Sequence, residues 1–166
     1  MRSDRAMAPA ARGWILGLGN WLRCDDGVGI HALRALCADP PTGVALLEVG
    51  TAVLDALPLL EGAAWVLGLD AVRGGGAPGT LYSVEPRAAA PRPGIASLHD
   101  LDLVRGLELL PPERRPRLSI LGVEPACLDP GLELSRPVAA ALPSLLAAAR
   151  EFAASASADP TPARPL

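Results

Sequence analysis

Asp25 and Asp26 stand side by side shortly after an apolar run closed by Gly19-Asn20, and Asp70 closes a later apolar run. In an open α/β sheet, ligands bind beyond the carboxyl ends of the strands, so these acids are expected on one edge. Carboxylates that converge there repel one another unless a cation or a shared proton relieves them. A hard or borderline cation is the economical answer, and one imidazole would complete the donor set. The chain offers two histidines, His31 and His99. His31 falls inside the first helical pattern and reads as a surface or internally satisfied residue. His99 opens a later helical pattern, out of phase with Leu98 and Leu101, on the edge expected to carry Asp26 and Asp70. The residues alone leave two arrangements open. One is a three-ligand site of Asp26, Asp70 and His99; the other is separate caps and solvated acids.

The elements that must position these residues alternate between strand-like and helix-like patterns, which predicts an α/β sandwich. Trp14–Leu18 reads as a buried first strand, followed by a helix to about Cys37 capped by Asp25 or Asp26, with Val28, Leu33 and Leu36 inward. Val44–Val49 reads as strand two and Ala52–Leu60 as a short helix interrupted by Pro58. Ala64–Leu69 is strand three, ending at Asp70, and Thr80–Val84 is strand four. The glycine-rich link Arg73–Gly79 between them is too short for a parallel crossover, which needs roughly a dozen residues. Strand four is therefore expected to run antiparallel, at or near a sheet edge. A Pro-rich connection leads to a helix over about Ser97–Leu110, with Leu98, Leu101, Val104 and Leu107 as its buried stripe. Leu118–Val123 is strand five, and Ser135 caps the last helix with Pro137 in its first turn. The expected organisation is a disordered lead over 1–12, one α/β/α domain over 13–154 and a disordered tail over 155–166.

Composition narrows the chemistry. The chain has 166 residues, half of them hydrophobic, which suits one domain with a substantial core. All 15 basic residues are arginine, so no mechanism can use a lysine, and the net charge of −3 gives no basic footprint for nucleic acid. Cys24, Cys37 and Cys127 lack CxxC spacing and read as reduced thiols. The N-terminal residues lack the apolar core of a secretory signal, and no stretch reads as the ~18 apolar residues of a membrane helix. A cytoplasmic monomer without membrane attachment is expected.

Three rival chemistries are weaker. Gly17-Leu18-Gly19 hints at a dinucleotide loop, but Leu22 stands where the third glycine belongs, and the acidic pair would repel a pyrophosphate. A response-regulator receiver also has acids after strands one and three, yet it relies on a lysine after strand five, where this chain has Glu124-Pro125. A thiol protease built on Cys24 and His99 would place its nucleophile beside two carboxylates, which disfavour the thiolate.

The stretch from Ile15 to Gly29, with its apolar strand, its Gly17-Leu18-Gly19-Asn20 turn and its Asp25-Asp26-Gly27-Val28-Gly29 loop, resembles the opening signature of the hydrogenase maturation endopeptidases. The resemblance continues at Leu69-Asp70-Ala71, at Pro78-Gly79, at His99 and at Leu121-Gly122-Val123-Glu124-Pro125, with Leu128 and Pro130 after it. It covers about residues 14–150. It implies a three-layer α/β/α sandwich with a five-stranded mixed sheet, and metal-contacting residues at Asp26, Asp70 and His99. The implied partner is a hydrogenase large-subunit precursor already carrying nickel, from which a short C-terminal extension is removed. In that picture the nickel belongs to the substrate and the three ligands read its presence. Two routes follow: nickel polarises the scissile carbonyl while Asp26 or Asp70 activates water, or the metal serves recognition and the carboxylates do the acid–base work. A non-catalytic nickel-sensing or chaperone-like binder on the same scaffold is the alternative. The chain departs from the family pattern at Glu48-Val49-Gly50-Thr51, where many members have an acid and two glycines before a hydroxyl residue. It also has Asp26 where some members have glutamate.

Overall fold

The structure, a computed structural model, describes residues 12–86 and 98–158. Residues 1–11 of the expected lead over 1–12, the Pro-rich connection with Ser97, and the tail beyond Ala158 lie outside the described residues. So do the side chains of Leu98, His99, Asp100 and Leu101.

Five strands form one sheet: β1 (Gly13–Leu18), β2 (Val44–Gly50), β3 (Trp65–Ala71), β4 (Leu81–Val84) and β5 (Arg117–Val123), in the order β2-β1-β3-β5-β4. All neighbours are parallel except β4, which runs antiparallel to β5 at the edge, as the short Arg73–Gly79 link requires. Among the described residues four helices cover the faces: α1 (Val28–Cys37), α2 (Val53–Leu60), α3 (Leu98–Glu108) and α4 (Arg136–Ala158).

Strand alternation divides the apolar side chains into two cores. Ile15, Trp65, Leu67 and Leu69 pack with Val28, Leu33 and Leu36 of α1 and with Val138, Leu145 and Ala149 of α4. Leu16, Leu18, Val66 and Ile120 pack with Val53, Leu57 and Leu60 of α2 and with Leu103 and Leu107 of α3. Asp70 lies in phase with Val66 and Gly68, so its side chain belongs to the α2/α3 face.

Several local expectations need correction. The first helix begins only at Val28, with Gly27 at its N-cap and no side-chain cap bond; Asp25 and Asp26 lie in the 3-10 turn Cys24–Gly27 before it. Pro58 sits inside α2 without ending it. On α3, Leu107 is buried as expected, but Leu103 is fully buried and Val104 only partly, so the expected stripe holds at Leu107 and misses at Val104. Positions three apart fall ~300° round a helix, so a strict spacing of threes drifts ~60° per step and cannot hold one face. The real stripe runs through Leu103, Gly106 and Leu107, while Asp102 and Arg105 face outward.

The 23-residue α4 is long and apolar enough to cross a membrane by length and composition, where no such stretch was expected. Its buried stripe of Val138, Ala141, Leu145, Ala149, Ala153 and Ala156 packs on the sheet. It continues to Ala158, four residues past the boundary drawn at 154.

Candidate functional site

The site is built around the turn that leaves β1. Gly19 adopts φ +100°, a left-handed conformation that favours glycine, and its N–H donates to the Gly50 carbonyl at 3.1 Å. A Cβ at this position would collide with the Asp26 carbonyl oxygen and stand 3.3 Å from Asp70 Oδ1. The Asp26 main chain and the Asp70 carboxylate, 44 positions apart in the sequence, therefore both border Gly19. Asn20 completes the turn. Its side-chain Oδ1 accepts the Leu22 N–H at 3.0 Å, an Asx turn, while its own N–H donates to Asp26 Oδ2 at 3.0 Å. The Gly-x-Gly-Asn pattern thus has a mechanical reason: glycine admits both acidic residues, and asparagine folds the turn that grips one of them.

Close packing brings the acidic loop onto the strand ends. A Cβ on Gly29 would strike the carbonyl oxygens of Leu69 and Leu18, so only glycine lets α1 settle against β1 and β3 at this depth. Asp70 is fully buried and Asp26 half-buried. Asp70 Oδ1 accepts the Ala71 N–H at 2.8 Å. His99 falls in the first turn of α3, the helix over the sheet face to which Asp70 belongs. Its side chain lies outside the described residues. Among those residues no group of three His, Cys, Asp or Glu side chains is gathered as a metal site.

Asp25 does different work from its neighbour. It is fully buried, and its carboxylate accepts the N–H groups of Ala126 (2.8 Å), Cys127 (2.9 Å) and Ser135 (2.7 Å) and the Ser135 hydroxyl (2.8 Å). It ties the acidic loop to the segment after β5 and to the start of α4. Ser135 precedes α4 as expected, its carbonyl accepts the Ala139 N–H, and its hydroxyl donates to Asp25.

Glu124, a third buried acid, organises the glycine-rich loop after Asp70. Its Oε2 accepts from Gly74 N (2.7 Å), Gly76 N (3.3 Å) and the Tyr82 hydroxyl (2.7 Å). Burial works against its ionisation, but these hydrogen bonds outweigh burial and hold its pKa below the usual glutamate value. Tyr82 is pushed up, first by its bond to Glu124. This role of Glu124 was not recognised from the Leu121-Gly122-Val123-Glu124-Pro125 motif. The signal was an acid at a strand end opposite a loop of three consecutive glycines, whose N–H groups need an acceptor.

Cys24 is no activated nucleophile. Hydrogen bonding with Cys127, then burial, then the charges around it push its thiol up to about 11. His31 is satisfied, with Nε2 3.3 Å from the Leu132 carbonyl. Glu48, in the segment that departs from the family pattern, pairs with Arg34 at 2.9 Å on the surface. Beyond it, Thr51, Leu54, Asp102, Arg105 and Leu109 line an open groove of about 430 Å³ between α2 and α3.

The family profile described as "Hydrogenase maturation protease" matches residues 30–151, a span that includes Asp70 and His99 and begins four residues after Asp26. The chain is 35% identical over 147 residues to the hydrogenase expression/formation protein HupM of Azotobacter chroococcum mcd 1, covering 84% of this chain and 70% of HupM. It is 39% identical over 72 residues to HupD of Rhodobacter capsulatus, a match that spans only 34% of HupD. Among solved structures it resembles the hydrogenase maturating endopeptidase HybD from E. coli, with TM-score 0.75 and 27% identity over 87% of this chain and 93% of that one. It also resembles the [NiFe] hydrogenase maturation protease HybD from Thermococcus kodakarensis, with TM-score 0.73 and 30% identity over 86% and 99%.

Proposed function

The chain belongs to the hydrogenase maturation protease family, and we propose that Asp26, Asp70 and His99 together form the centre through which it reads and cuts its substrate. It is an endopeptidase that processes a hydrogenase large-subunit precursor, in a family of metal-dependent proteases. What supports the site is that the Gly19-Asn20 turn touches both acids: Asp70 Oδ1 borders Gly19, and the next N–H, of Asn20, donates to Asp26 Oδ2. Two carboxylates and an imidazole are a donor set suited to a borderline divalent ion such as nickel. On this reading the nickel arrives with the precursor, and its chemistry is Lewis-acid polarisation of the bound oxygen.

The chain's own residues do the rest. Asn20 N–H donates to Asp26 Oδ2 and so fixes the orientation of that carboxylate. Asp70, buried and braced by Ala71 N–H, keeps water from screening its charge. One of the two carboxylates takes the proton of the attacking water and returns it to the amide nitrogen as the C–N bond breaks, so the short C-terminal extension leaves with a free amine. The three cysteines are free thiols, in keeping with a reducing compartment, and we place the enzyme in the cytoplasm as a monomer.

The test is direct. Nickel-loaded and nickel-free precursor are incubated with the protein and the large subunit is followed by mass spectrometry. Loss of the extension from the nickel-loaded form alone is expected. Nickel binding without cleavage would instead make the protein a sensor or chaperone-like binder.

A further inference from the structure

We propose that the double loop beside Asp26, which displays Trp21, Leu22 and Leu132, is the surface on which the folded body of the large-subunit precursor seats while its C-terminal segment enters the site; this rests on the reading of that site given above. Trp21 is 43% exposed, Leu22 52% and Leu132 54%, among the largest apolar side chains the described residues leave to solvent. Large exposed apolar groups at a site rim mark protein contact, and tryptophan with nearby arginine is the common make-up of binding hot spots.

The two segments that carry them are knit together. Gly131 N–H donates to the Leu22 carbonyl (2.9 Å), Cys24 N–H donates to the Gly131 carbonyl (2.8 Å), and the Arg23 guanidinium donates twice to the Leu128 carbonyl (3.1 and 3.0 Å). Asp25 clamps the same two segments from beneath. The Trp21 ring lies 5.4 Å from the Arg34 guanidinium carbon, and Arg34 is itself held by Glu48. Apolar groups on a braced platform lose little freedom on binding, which favours a preformed docking surface over a loop that merely happens to be exposed.

The occupant follows from position. Trp21 is the residue after Asn20, whose N–H grips Asp26. A protein that delivers its C-terminal segment to Asp26 must cover this rim, and the enzyme's activity makes that protein the precursor.

Steady-state cleavage of nickel-loaded precursor tests this, comparing the unsubstituted protein with Trp21→Ser, Leu132→Ser, the double variant, and Leu59→Ser as an exposed apolar control on α2. The double variant is expected to raise KM roughly 30-fold with kcat within about threefold, and each single variant to give part of that rise. Leu59→Ser should match the unsubstituted protein, and thermal melts should coincide. An unchanged KM in the double variant, with cleavage intact, overturns the docking surface and leaves the site standing. A loss confined to kcat also overturns it. A change from dimer to monomer with KM unchanged would assign the patch to a second copy and end the proposal. No cleavage by the unsubstituted protein would overturn the functional reading and this surface with it.

Discussion

The Asp25 carboxylate accepts both the backbone N–H and the hydroxyl of Ser135, at 2.7 and 2.8 Å, across 110 residues of sequence. Two further N–H groups, from Ala126 and Cys127, share the same buried acid. Removing it would strand all of these donors in the interior. Asp25→Ala is expected to cost at least ~3 kcal/mol in urea unfolding, because hydrogen bonds to a charged acceptor are strong and orphaned donors are costly. A change under about 0.5 kcal/mol would show that the clamp adds nothing.

Adjacent acids of equal appearance thus divide their labour, and this division was not legible in the sequence. Nothing local distinguishes Asp25 from Asp26, because the partners of Asp25 lie more than a hundred residues away. The sheet was legible, down to the antiparallel β4, because apolar runs mark strands and the length of Arg73–Gly79 forbids a crossover. The edge that carries Asp26 and Asp70 was legible for the same reason, since strand ends fix it. Helix phase was legible only in part: Leu107 is buried as expected, but Val104 and Leu103 are equally apolar neighbours, and only packing in the core beneath α2 and α3 selects Leu103.

That phase can be measured. Leu103→Ala is expected to cost about 2–5 kcal/mol, the usual range for emptying a fully buried leucine site. Val104→Ala should cost ~1 kcal/mol or less, in line with partial burial. Equal costs, or the reverse order, would contradict the observed face of α3.

Glu124 gives the stability a dependence on acid pH. Its folded pKa lies below the ordinary 4.5, so the unfolded chain binds the proton more readily. Its contribution is fully present above about 4.5 and is lost as pH falls through the lower, folded value. Glu124→Gln should therefore flatten part of the fall in stability below that pH, measured by urea unfolding at a series of pH values. An unchanged slope would show that the carboxylate is not held as described.

Cys24 is expected to resist alkylation. With its thiol at about 11, the nucleophilic thiolate is scarce at neutral pH. Mass spectrometry after brief iodoacetamide treatment at pH 7.5 should find Cys24 labelled far more slowly than the exposed Cys37. Rapid labelling of Cys24 would reopen the thiol chemistry set aside here.

The central claim is that Asp26, Asp70 and His99 carry the cleavage and that Cys24 and His31 do not. The full burial of Asp70 makes Asp70→Asn the better substitution there, since it keeps the shape while removing the charge. The decisive measurement is the cleavage rate of nickel-loaded precursor by folded Asp26→Ala, Asp70→Asn and His99→Ala, beside Cys24→Ala and His31→Ala. The first three are expected to fall by a factor of about 100 or more, as loss of a general base or of a binding ligand would require, while the last two keep substantial activity. A folded, inactive Cys24→Ala beside an active His99→Ala would contradict the account.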